Sequence, residues 1–260
     1  MKKRHPLVEM KNVSKSFHKG SKQSIPVLEH INFEVYDNEV VALLGRSGSG
    51  KSTLIRMIAG LIEPDFGSIV CNDLPVCGPC RDASMVFQSF ALFPWLTVFN
   101  NVAFGLQAAK LGREEIERRT MRMLELIGLT DYVNAYPKEL SGGMRQRVGF
   151  ARALAVEPKL MLLDEPFSAL DIYTGEKLRQ DLIDLWEQRK IATRSMILVT
   201  HAVEEAVMLS DRVCLLTGDP ATITDTYTID IPRAERTREN TQSWVNRIRD
   251  TLNEKIALTA

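Results

Sequence analysis

Apolar runs long enough to cross a membrane are missing from this 260-residue sequence, since a spanning helix needs about 18 consecutive apolar residues. Residues 1–6 are basic, but no apolar stretch follows them, so a secretion signal is not expected. An excess of charge is also missing, because 33 Lys and Arg residues balance 33 Asp and Glu residues. That balance argues against nucleic acid or an anionic membrane face as the main partner. We therefore expect a soluble protein that is not secreted.

Cysteine is scarce, with four residues in the chain. Three of them, Cys71, Cys77 and Cys80, lie close together, and Cys77 and Cys80 have the C-x-x-C spacing of zinc and redox sites. No second C-x-x-C pair and no spaced His pair completes a tetrahedral zinc site, and a C-x-x-C redox motif normally opens a helix in another setting. We expect these cysteines to be free, reduced thiols in a turn.

The hydrophobic content of 45% is that of a globular protein with a substantial core, and the length allows one large or two modest domains. Residues 8–13 and 27–35 have the composition of strands separated by a polar turn, which predicts an antiparallel β region at the start of the chain. Further apolar runs of strand length lie at 40–44, 160–163, 196–199 and 213–216. Helical patterns follow these runs, so the fold is predicted to be α/β with a parallel core sheet that binds its ligand at the carboxyl ends of the strands.

Helical periodicity dominates two other stretches. Between residues 97 and 129 the apolar side chains recur at helical spacing, which predicts a mainly helical insertion. After Gly218 the chain is polar until a terminal amphipathic helix. Its apolar face is marked by Trp244, Ile248, Leu252 and Ile256. We expect this helix to pack on the core or on a partner.

The most informative stretch is residues 45–53, a full G-x-x-x-x-G-K-S match that we call the phosphate loop. A strand leads into it and a helical pattern follows. Its glycines let successive backbone N–H groups turn inward beside a helix N-terminus, which suits phosphate oxygens, whereas a plain glycine-rich surface turn is the alternative. Lys51 is expected to reach the β- and γ-phosphates, and the Ser52 hydroxyl to bind a bridging Mg²⁺. The predicted nucleotide-binding residues are Gly45, Arg46, Ser47, Gly48, Ser49, Gly50, Lys51, Ser52 and Thr53.

Two acids end the apolar run at 160–163. Asp164 is expected to hold the water shell of the magnesium ion, and Glu165 to act as the general base on the attacking water. General-base catalysis contributes about 10²- to 10⁴-fold in rate. A strand end capped by solvated acids is the structural alternative.

A second helix start with anion-binding character is predicted at Ser141, Gly142 and Gly143, which we call the signature turn, because a strong helix pattern runs from there to Val156. One chain does not need two phosphate cradles for one nucleotide. The sequence resembles the ATP-binding subunits of ABC transporters, in which a Leu-Ser-Gly-Gly-Gln signature is supplied to ATP by the opposite subunit. Met144 stands here where the family more often has Gln.

The resemblance extends from about residue 8 to residue 216, and the family's landmarks follow in its order. By this resemblance Phe17 stacks on the base, Gln88 contacts magnesium and the water, and His201 contacts the γ-phosphate. Residues 168–171 match the loop that links the two sites. The implied fold is a P-loop NTPase core, that of an ABC ATPase, with an antiparallel β subdomain and a helical subdomain.

The implied domain layout is a single ABC ATPase domain over residues 1–260, with the helical subdomain at about 90–158 and a C-terminal extension at about 217–260. About 40 residues after Leu216 leave no room for the extra β domain that regulates some sugar importers.

The resemblance implies ATP and Mg²⁺ as cofactors and an ATPase coupled to transport. Two chains, or one chain and a homologous cassette, would form a head-to-tail dimer with ATP between the phosphate loop of one subunit and the signature turn of the other. The implied catalytic residues are Glu165, His201 and Gln88, and the implied magnesium residues are Ser52, Gln88 and Asp164. ATP binding would close this dimer and hydrolysis would loosen it.

Within the family, residues 86–98 resemble the nitrate, sulfonate, taurine and bicarbonate branch of importers, and 171–186 and 199–206 fit it too. Asn100 and the pair Gly149 and Phe150 depart from that branch. The branch implies uptake of a small solute such as one of these anions, with transmembrane permease subunits and a periplasmic or surface solute-binding protein. The implied location is peripheral, at the cytoplasmic face of the cell membrane.

Two alternatives stay open at this point. A soluble ABC-type ATPase would act on nucleic acid or ribosomes, but such chains usually carry two cassettes or a long coiled-coil insertion. An export or lipid-transport cassette shares every catalytic residue and differs only in its membrane partner. The transported solute does not contact this subunit, so the sequence does not identify the solute.

Overall fold

The computed structural model describes residues 5–19 and 23–258. The strands are β1 (Val8–Lys19), β2 (Gln23–Val35), β3 (Val40–Leu44), β4 (Phe66–Cys71), β5 (Leu74–Pro75), β6 (Ala83–Val86), β7 (Leu160–Asp164), β8 (Ser195–Thr200), β9 (Arg212–Gly218) and β10 (Ala221–Thr228). The helices are α1 (Lys51–Ile58), α2 (Val98–Ala108), α3 (Arg113–Leu126), α4 (Gly142–Ala155), α5 (Ile172–Glu187), α6 (Val203–Leu209) and α7 (Gln242–Ala257). The chain divides into two compact units, Met1–Ala83 with Arg194–Ala260, and Ser84–Thr193.

The first unit carries the strands in the order β5, β4, β1, β2, β10, β9, β3, β8. β1 pairs antiparallel with both β2 and β4, which confirms the antiparallel region predicted before the phosphate loop. These strands are longer than predicted, because β1 continues to Lys19 and β2 begins at Gln23. The centre of the predicted polar turn, residues 20–22, lies outside the described residues.

The parallel part of this sheet is formed by β3, which pairs with β8 on one side and β9 on the other. Every residue of β3 and β8 is buried, as is typical of parallel strands with both faces covered. The strands predicted at 40–44, 196–199 and 213–216 are therefore confirmed. β10 was not predicted, because its sequence Ala-Thr-Ile-Thr-Asp-Thr-Tyr-Thr is polar and half-exposed, although it pairs antiparallel with β9 along its length.

The terminal helix α7 packs on this unit. Val245, Ile248 and Leu252 are buried in one hydrophobic cluster with residues of α6, β3 and β9, such as Val207 and Leu215. The predicted amphipathic helix is thus confirmed, and its apolar face covers the core of its own chain.

The second unit is mainly helical. α4 lies among the other helices and contacts α2, α3 and α5, which confirms the helical insertion predicted between 97 and 129. β7 is fully buried. In β6 only Val86 is buried, because β6 is the last strand of its sheet and leaves an edge open. Across the residues that the structure describes, none of the helices has the length and apolar character needed to span a membrane.

The packing of α7 predicts a large effect of truncating Ile248, which is fully buried. We expect Ile248→Ala to lower the free energy of unfolding by about 2–5 kcal/mol, because the substitution leaves a cavity between α7 and the sheet. Urea denaturation monitored by circular dichroism measures the change. Asn253→Ala, at an exposed position of the same helix, is the matched control and should change stability by less than about 0.5 kcal/mol. Equal effects of the two substitutions would contradict the described packing of α7.

Candidate active site

The phosphate loop connects β3, which ends at Leu44, to α1, which begins at Lys51. Gly48 and Gly50 have φ values of 82° and 88°, in the left-handed region that favours glycine. Gly50 is the N-cap of α1, and the first turn of α1 contains no acidic residue. The backbone N–H groups at this helix start are therefore available to an anion without a competing carboxylate.

Lys51 is buried, and its Nζ donates hydrogen bonds to the carbonyl oxygens of Gly45, at 2.8 Å, and Arg46, at 2.7 Å. The ammonium group thus lies against the inside of the loop. The Ser49 hydroxyl is also buried and has no hydrogen-bond partner among the described residues. A buried donor without a partner and a cation inside a glycine-rich turn fit a phosphate group well.

Gly45 brings the start of the loop into contact with the neighbouring strand. A Cβ at this position would lie 2.4 Å from the carbonyl oxygen of Leu216 in β9, which is closer than any side chain can approach. At the other end of the loop, a Cβ at Gly50 would lie 2.8 Å from Cδ2 of Leu28 in β2. Glycine is therefore required at Gly45 by its contact with backbone, whereas at Gly50 it is favoured mainly by the left-handed backbone conformation.

The register of the parallel strands brings His201 next to the loop. Leu44 in β3 pairs with Thr200 in β8, so Gly45 and His201 leave the sheet from adjacent strand ends. His201 is exposed. Phe17 lies on β1 opposite Ile25 of β2 and is 40% exposed, as a base-stacking aromatic requires. The Nζ of Lys15 lies 5.8 Å from the centre of its ring.

In the second unit, the two predicted acids follow one another at the end of β7. Asp164 is buried and is the last residue of the strand. Glu165 has a φ of 47°, a conformation that costs a non-glycine residue about 1–2 kcal/mol and is concentrated at functional sites. The side-chain Nε2 of Gln88 donates to Oε2 of Glu165 at 3.4 Å. The structure therefore brings Gln88 and Glu165 together, as two residues acting on the same water require.

The signature turn forms the N-terminus of α4. The Ser141 hydroxyl caps this helix by accepting a hydrogen bond from the backbone N–H of Met144 at 3.3 Å. A Cβ on Gly143 would lie 2.5 Å from Cγ2 of Thr174, so the turn packs against the start of α5. Asp171 caps α5 by accepting from the backbone N–H of Thr174 at 3.0 Å, and hydrogen bonds from Thr174 hold the pKa of Asp171 below its usual value.

A line of contacts runs from the signature turn to Glu165. Both the backbone N–H and the hydroxyl of Ser168 donate to the carbonyl oxygen of Glu165, at 3.3 Å and 3.0 Å. Residues 168–171 then lead to the cap of α5, where Thr174 meets Gly143. The loop that the resemblance assigns to linking two sites does connect these two features within the second unit.

Gln146 was not singled out from the sequence. It is fully buried in α4 and donates from Nε2 to the carbonyl oxygen of Pro166, the residue after Glu165. Phe150 of α4 stacks on Phe167 with ring centres 6.0 Å apart. α4 therefore holds residues 165–167 in place through one polar and one aromatic contact. Gln146 could have been found from the sequence as a polar residue on the predicted buried face of a helix.

An aromatic patch formed by Phe93, Trp95 and Phe104 lies on the same unit. The ring centre of Phe93 is 5.7 Å from that of Trp95 and 4.5 Å from that of Phe104, and Trp95 is 70% exposed. Buried Asn101 holds the loop that carries the patch, because its side chain exchanges hydrogen bonds with both the N–H and the carbonyl of Phe93. The amide of Asn101 also donates to the carbonyl oxygens of Leu96 and Thr97.

The sequence model of the family described as ABC transporter matches residues 28–168, more than half of the chain. The chain belongs to the ABC transporter family. It is an ATP-binding ABC cassette and therefore an ATPase of the kind coupled to transport, with the α/β P-loop NTPase fold expected from the sequence. The roles of the individual site residues stay predictions.

Two curated relatives illustrate the similarity of this ABC cassette to named proteins. It is 46% identical over 221 residues to the nitrate import ATP-binding protein NrtD of Synechocystis sp., which covers 85% of this chain and 82% of that protein. It is 40% identical over 208 residues to the taurine import ATP-binding protein TauB of Yersinia pestis, with 80% of both chains covered. Among solved structures, the dimeric post-hydrolysis state of the ATP-binding cassette MJ0796 bound to ADP and Pi matches with a TM-score of 0.75 and 32% identity, over 86% of this chain and all of that one.

The contact at Gly45 predicts a difference between two glycines of the phosphate loop. Gly45→Ala forces the new methyl group into the Leu216 carbonyl, so we expect a loss of at least about 2 kcal/mol in stability and weak nucleotide binding. Gly48→Ala meets no atom within 4 Å and should cost only about 1 kcal/mol for its left-handed conformation. Urea denaturation and titration with a fluorescent ATP analogue measure both effects. A smaller loss for Gly45→Ala than for Gly48→Ala would refute the assigned contact.

Proposed function

We propose that this ABC ATPase is the ATP-hydrolysing subunit of an importer that takes up a small solute, with anions such as nitrate, sulfonate, taurine or bicarbonate as the expected class. The observation that carries this proposal is the 46% identity to a nitrate import ATP-binding protein along 85% of the chain. The chain works in this proposal as a single ABC ATPase domain, with a helical subdomain at about 90–158 and a C-terminal extension at about 217–260.

The phosphate loop binds the β- and γ-phosphates of ATP through its backbone N–H groups and Lys51, while Phe17 stacks on the base. Ser52, Asp164 and Gln88 supply oxygen ligands, directly or through water, for Mg²⁺. These residues would hold Mg²⁺ beside the phosphates, where its positive charge would offset the negative charge that develops on the phosphate oxygens. The buried Lys51 and the orphan Ser49 hydroxyl support the phosphate assignment.

Hydrolysis uses Glu165 as the general base that polarises the attacking water. Gln88 donates to the Glu165 carboxylate and so orients both that group and the water. His201 contacts the γ-phosphate from the end of β8. The backbone carbonyl of Glu165 is held by Ser168, and His201 follows a fully buried strand.

Two cassettes act together in the proposed cycle. ATP lies between the phosphate loop of one copy and the signature turn of the other, which is either a second copy or a homologous cassette. The first turn of α4 contains no acidic residue, which supports an anion at this helix start. The dimeric, ADP-bound and Pi-bound cassette among the solved structures is consistent with this arrangement.

The membrane partner docks on the aromatic patch in this proposal. Exposed aromatic side chains that pack on one another are favoured as interface anchors. Trp95 is the most exposed of the three rings in the patch, so most of its surface is accessible to a partner. Transmembrane permease subunits bind here, and a periplasmic or surface solute-binding protein delivers the solute to them. The chain is then peripheral, at the cytoplasmic face of the membrane, and binds no nucleic acid.

The assignment of Glu165 predicts the behaviour of Glu165→Gln. We expect this variant to bind ATP with unchanged affinity and to hydrolyse it at least about 10²-fold more slowly, because the amide cannot accept the proton from water. A phosphate-release assay and a binding titration measure the two properties. Turnover at the wild-type rate would show that Glu165 is not the base.

The same variant tests the shared site. With hydrolysis blocked, ATP should hold the Glu165→Gln chains as dimers that size-exclusion chromatography resolves. The additional substitution Ser141→Arg should abolish these dimers while leaving ATP binding by the phosphate loop intact, because the arginine side chain fills the signature turn. Stable ATP-dependent dimers of the double variant would refute the shared site.

The importer assignment is tested by purifying the chain from its native membranes in mild detergent. We expect a membrane protein to be retained, and ATP hydrolysis to rise when a solute-binding protein loaded with nitrate, taurine, a sulfonate or bicarbonate is added. Trp95→Ala should reduce retention at least about tenfold, the loss expected for one interface anchor. Tyr132→Ala, at another exposed aromatic of the same unit, is the control. Failure of the wild-type chain to retain any membrane protein would overturn the proposal.

A further inference from the structure

Three of the four cysteines, Cys71, Cys77 and Cys80, lie close together in the sequence of the first unit, and the ATPase mechanism does not use them. Cys71 is buried at the end of β4, Cys80 is half-buried, and Cys77 is exposed; none of the three is in a disulfide. The thiols of Cys71 and Cys80 are hydrogen-bonded to each other, so the two sulfur atoms are already neighbours. The residue after Cys71 is also tied to the loop of Cys80, because Nδ2 of Asn72 donates to Oδ2 of Asp82 at 3.0 Å.

The surroundings of the Cys80 sulfur favour its thiolate. The thiol of Cys71 is the main donor to it, and the backbone N–H groups of Asp82 and Ala83 are two more. These hydrogen bonds lower the pKa of Cys80 to about 6, against the opposing effects of burial and of the Asp82 carboxylate. These contacts favour the thiolate of Cys80, and the thiolate is the form that reacts with oxidants.

The loop that carries Cys80 is fixed to the C-terminal end of α1. The backbone N–H of Cys80 donates to the carbonyl oxygen of Ala59, the C-cap of α1, at 2.9 Å. A Cβ on Gly60 would lie 1.7 Å from the carbonyl oxygen of Gly78, so the two backbones are in direct contact. The backbone of this loop is therefore held against the end of the helix that begins at the phosphate loop.

We propose that Cys80 is a peroxide-reactive thiol that is resolved by Cys71 to an intramolecular disulfide. The Cys80 thiolate attacks one oxygen of hydrogen peroxide, forms Cys80 sulfenic acid and releases hydroxide, which takes up a proton to become water. The Cys71 sulfur then attacks the sulfenic sulfur, forms the S–S bond and releases a second water. The two thiols lose two electrons in total, and the peroxide gains them.

The other two cysteines serve as internal references. Cys77 is the exposed member of the C-x-x-C pair, but the partner hydrogen-bonded to Cys80 is Cys71. Cys214 is buried in β9, and burial raises the pKa of its thiol, so it should stay reduced. The proposal does not depend on the transported solute or on the ATPase mechanism.

The test uses the full chain, reduced, freed of reductant and treated with a small excess of hydrogen peroxide. We expect the intact mass to fall by two hydrogen atoms, the number of free thiols to fall from the four of the reduced chain to two, and dithiothreitol to restore all four. A protease that cleaves before aspartate then separates the cysteines, because cleavage at Asp65, Asp73 and Asp82 places Cys71 in one peptide and Cys77 with Cys80 in another. The proposed disulfide joins these two peptides.

Variants assign the roles. Cys77→Ser should form the same disulfide, whereas Cys80→Ser should lose thiols at least about tenfold more slowly because the reactive thiolate is gone. In Cys71→Ser the sulfenic acid on Cys80 should accumulate and react with dimedone. Circular dichroism checks the fold of each variant, and the peptide map of the wild-type chain does not depend on any of them. A disulfide confined to the peptide with Cys77 and Cys80, two added oxygen atoms without a disulfide, or four thiols left after treatment would each overturn the proposal.

Discussion

The structure depends on one backbone contact, between Gly45 and the carbonyl oxygen of Leu216. Because no side chain separates them, β3 and β9 stay in register up to the point where the chain turns into α1. The strand therefore delivers the phosphate loop at the carboxyl edge of a buried sheet, and Thr200 in the adjacent strand delivers His201 beside it. The location of the phosphate loop follows from strand packing, and the suitability of the loop for an anion follows from its glycines and Lys51.

In the second unit, side-chain contacts hold the segment that carries Glu165 in place. Gln146 and Phe150 of α4 hold the three residues after β7, and Ser168 holds the carbonyl of Glu165. These contacts keep Glu165 in its left-handed conformation and bring its carboxylate to Gln88. The segment that carries Glu165 and the signature turn at the start of α4 are thus held by the same helix.

Most of the core could be predicted from the sequence, because long apolar runs and a complete phosphate-loop motif carry strong local signals. β3, β8, β9 and α7 were found in this way. β10 was missed because its alternating threonines have the composition of a polar tail. Its pairing with β9 makes this segment a strand, although its composition alone does not predict one. Gln146 and Asn101 were missed for a related reason. The structural role of a buried side-chain amide depends on which backbone carbonyl groups the tertiary packing places within hydrogen-bond distance of it.

Asn101 holds the loop that carries the aromatic patch in one conformation, which the exposed side chains of the patch alone would not do. Its four hydrogen bonds to the backbone at Phe93, Leu96 and Thr97 take the place of regular secondary structure in that loop. The aromatic rings are consequently held in position before any partner arrives. In the proposed docking of a membrane partner, this loop would need little ordering, so more of the contact free energy would remain as affinity. The patch is therefore a preorganised surface, because the buried Asn101 of α2 holds the backbone of the loop that carries it.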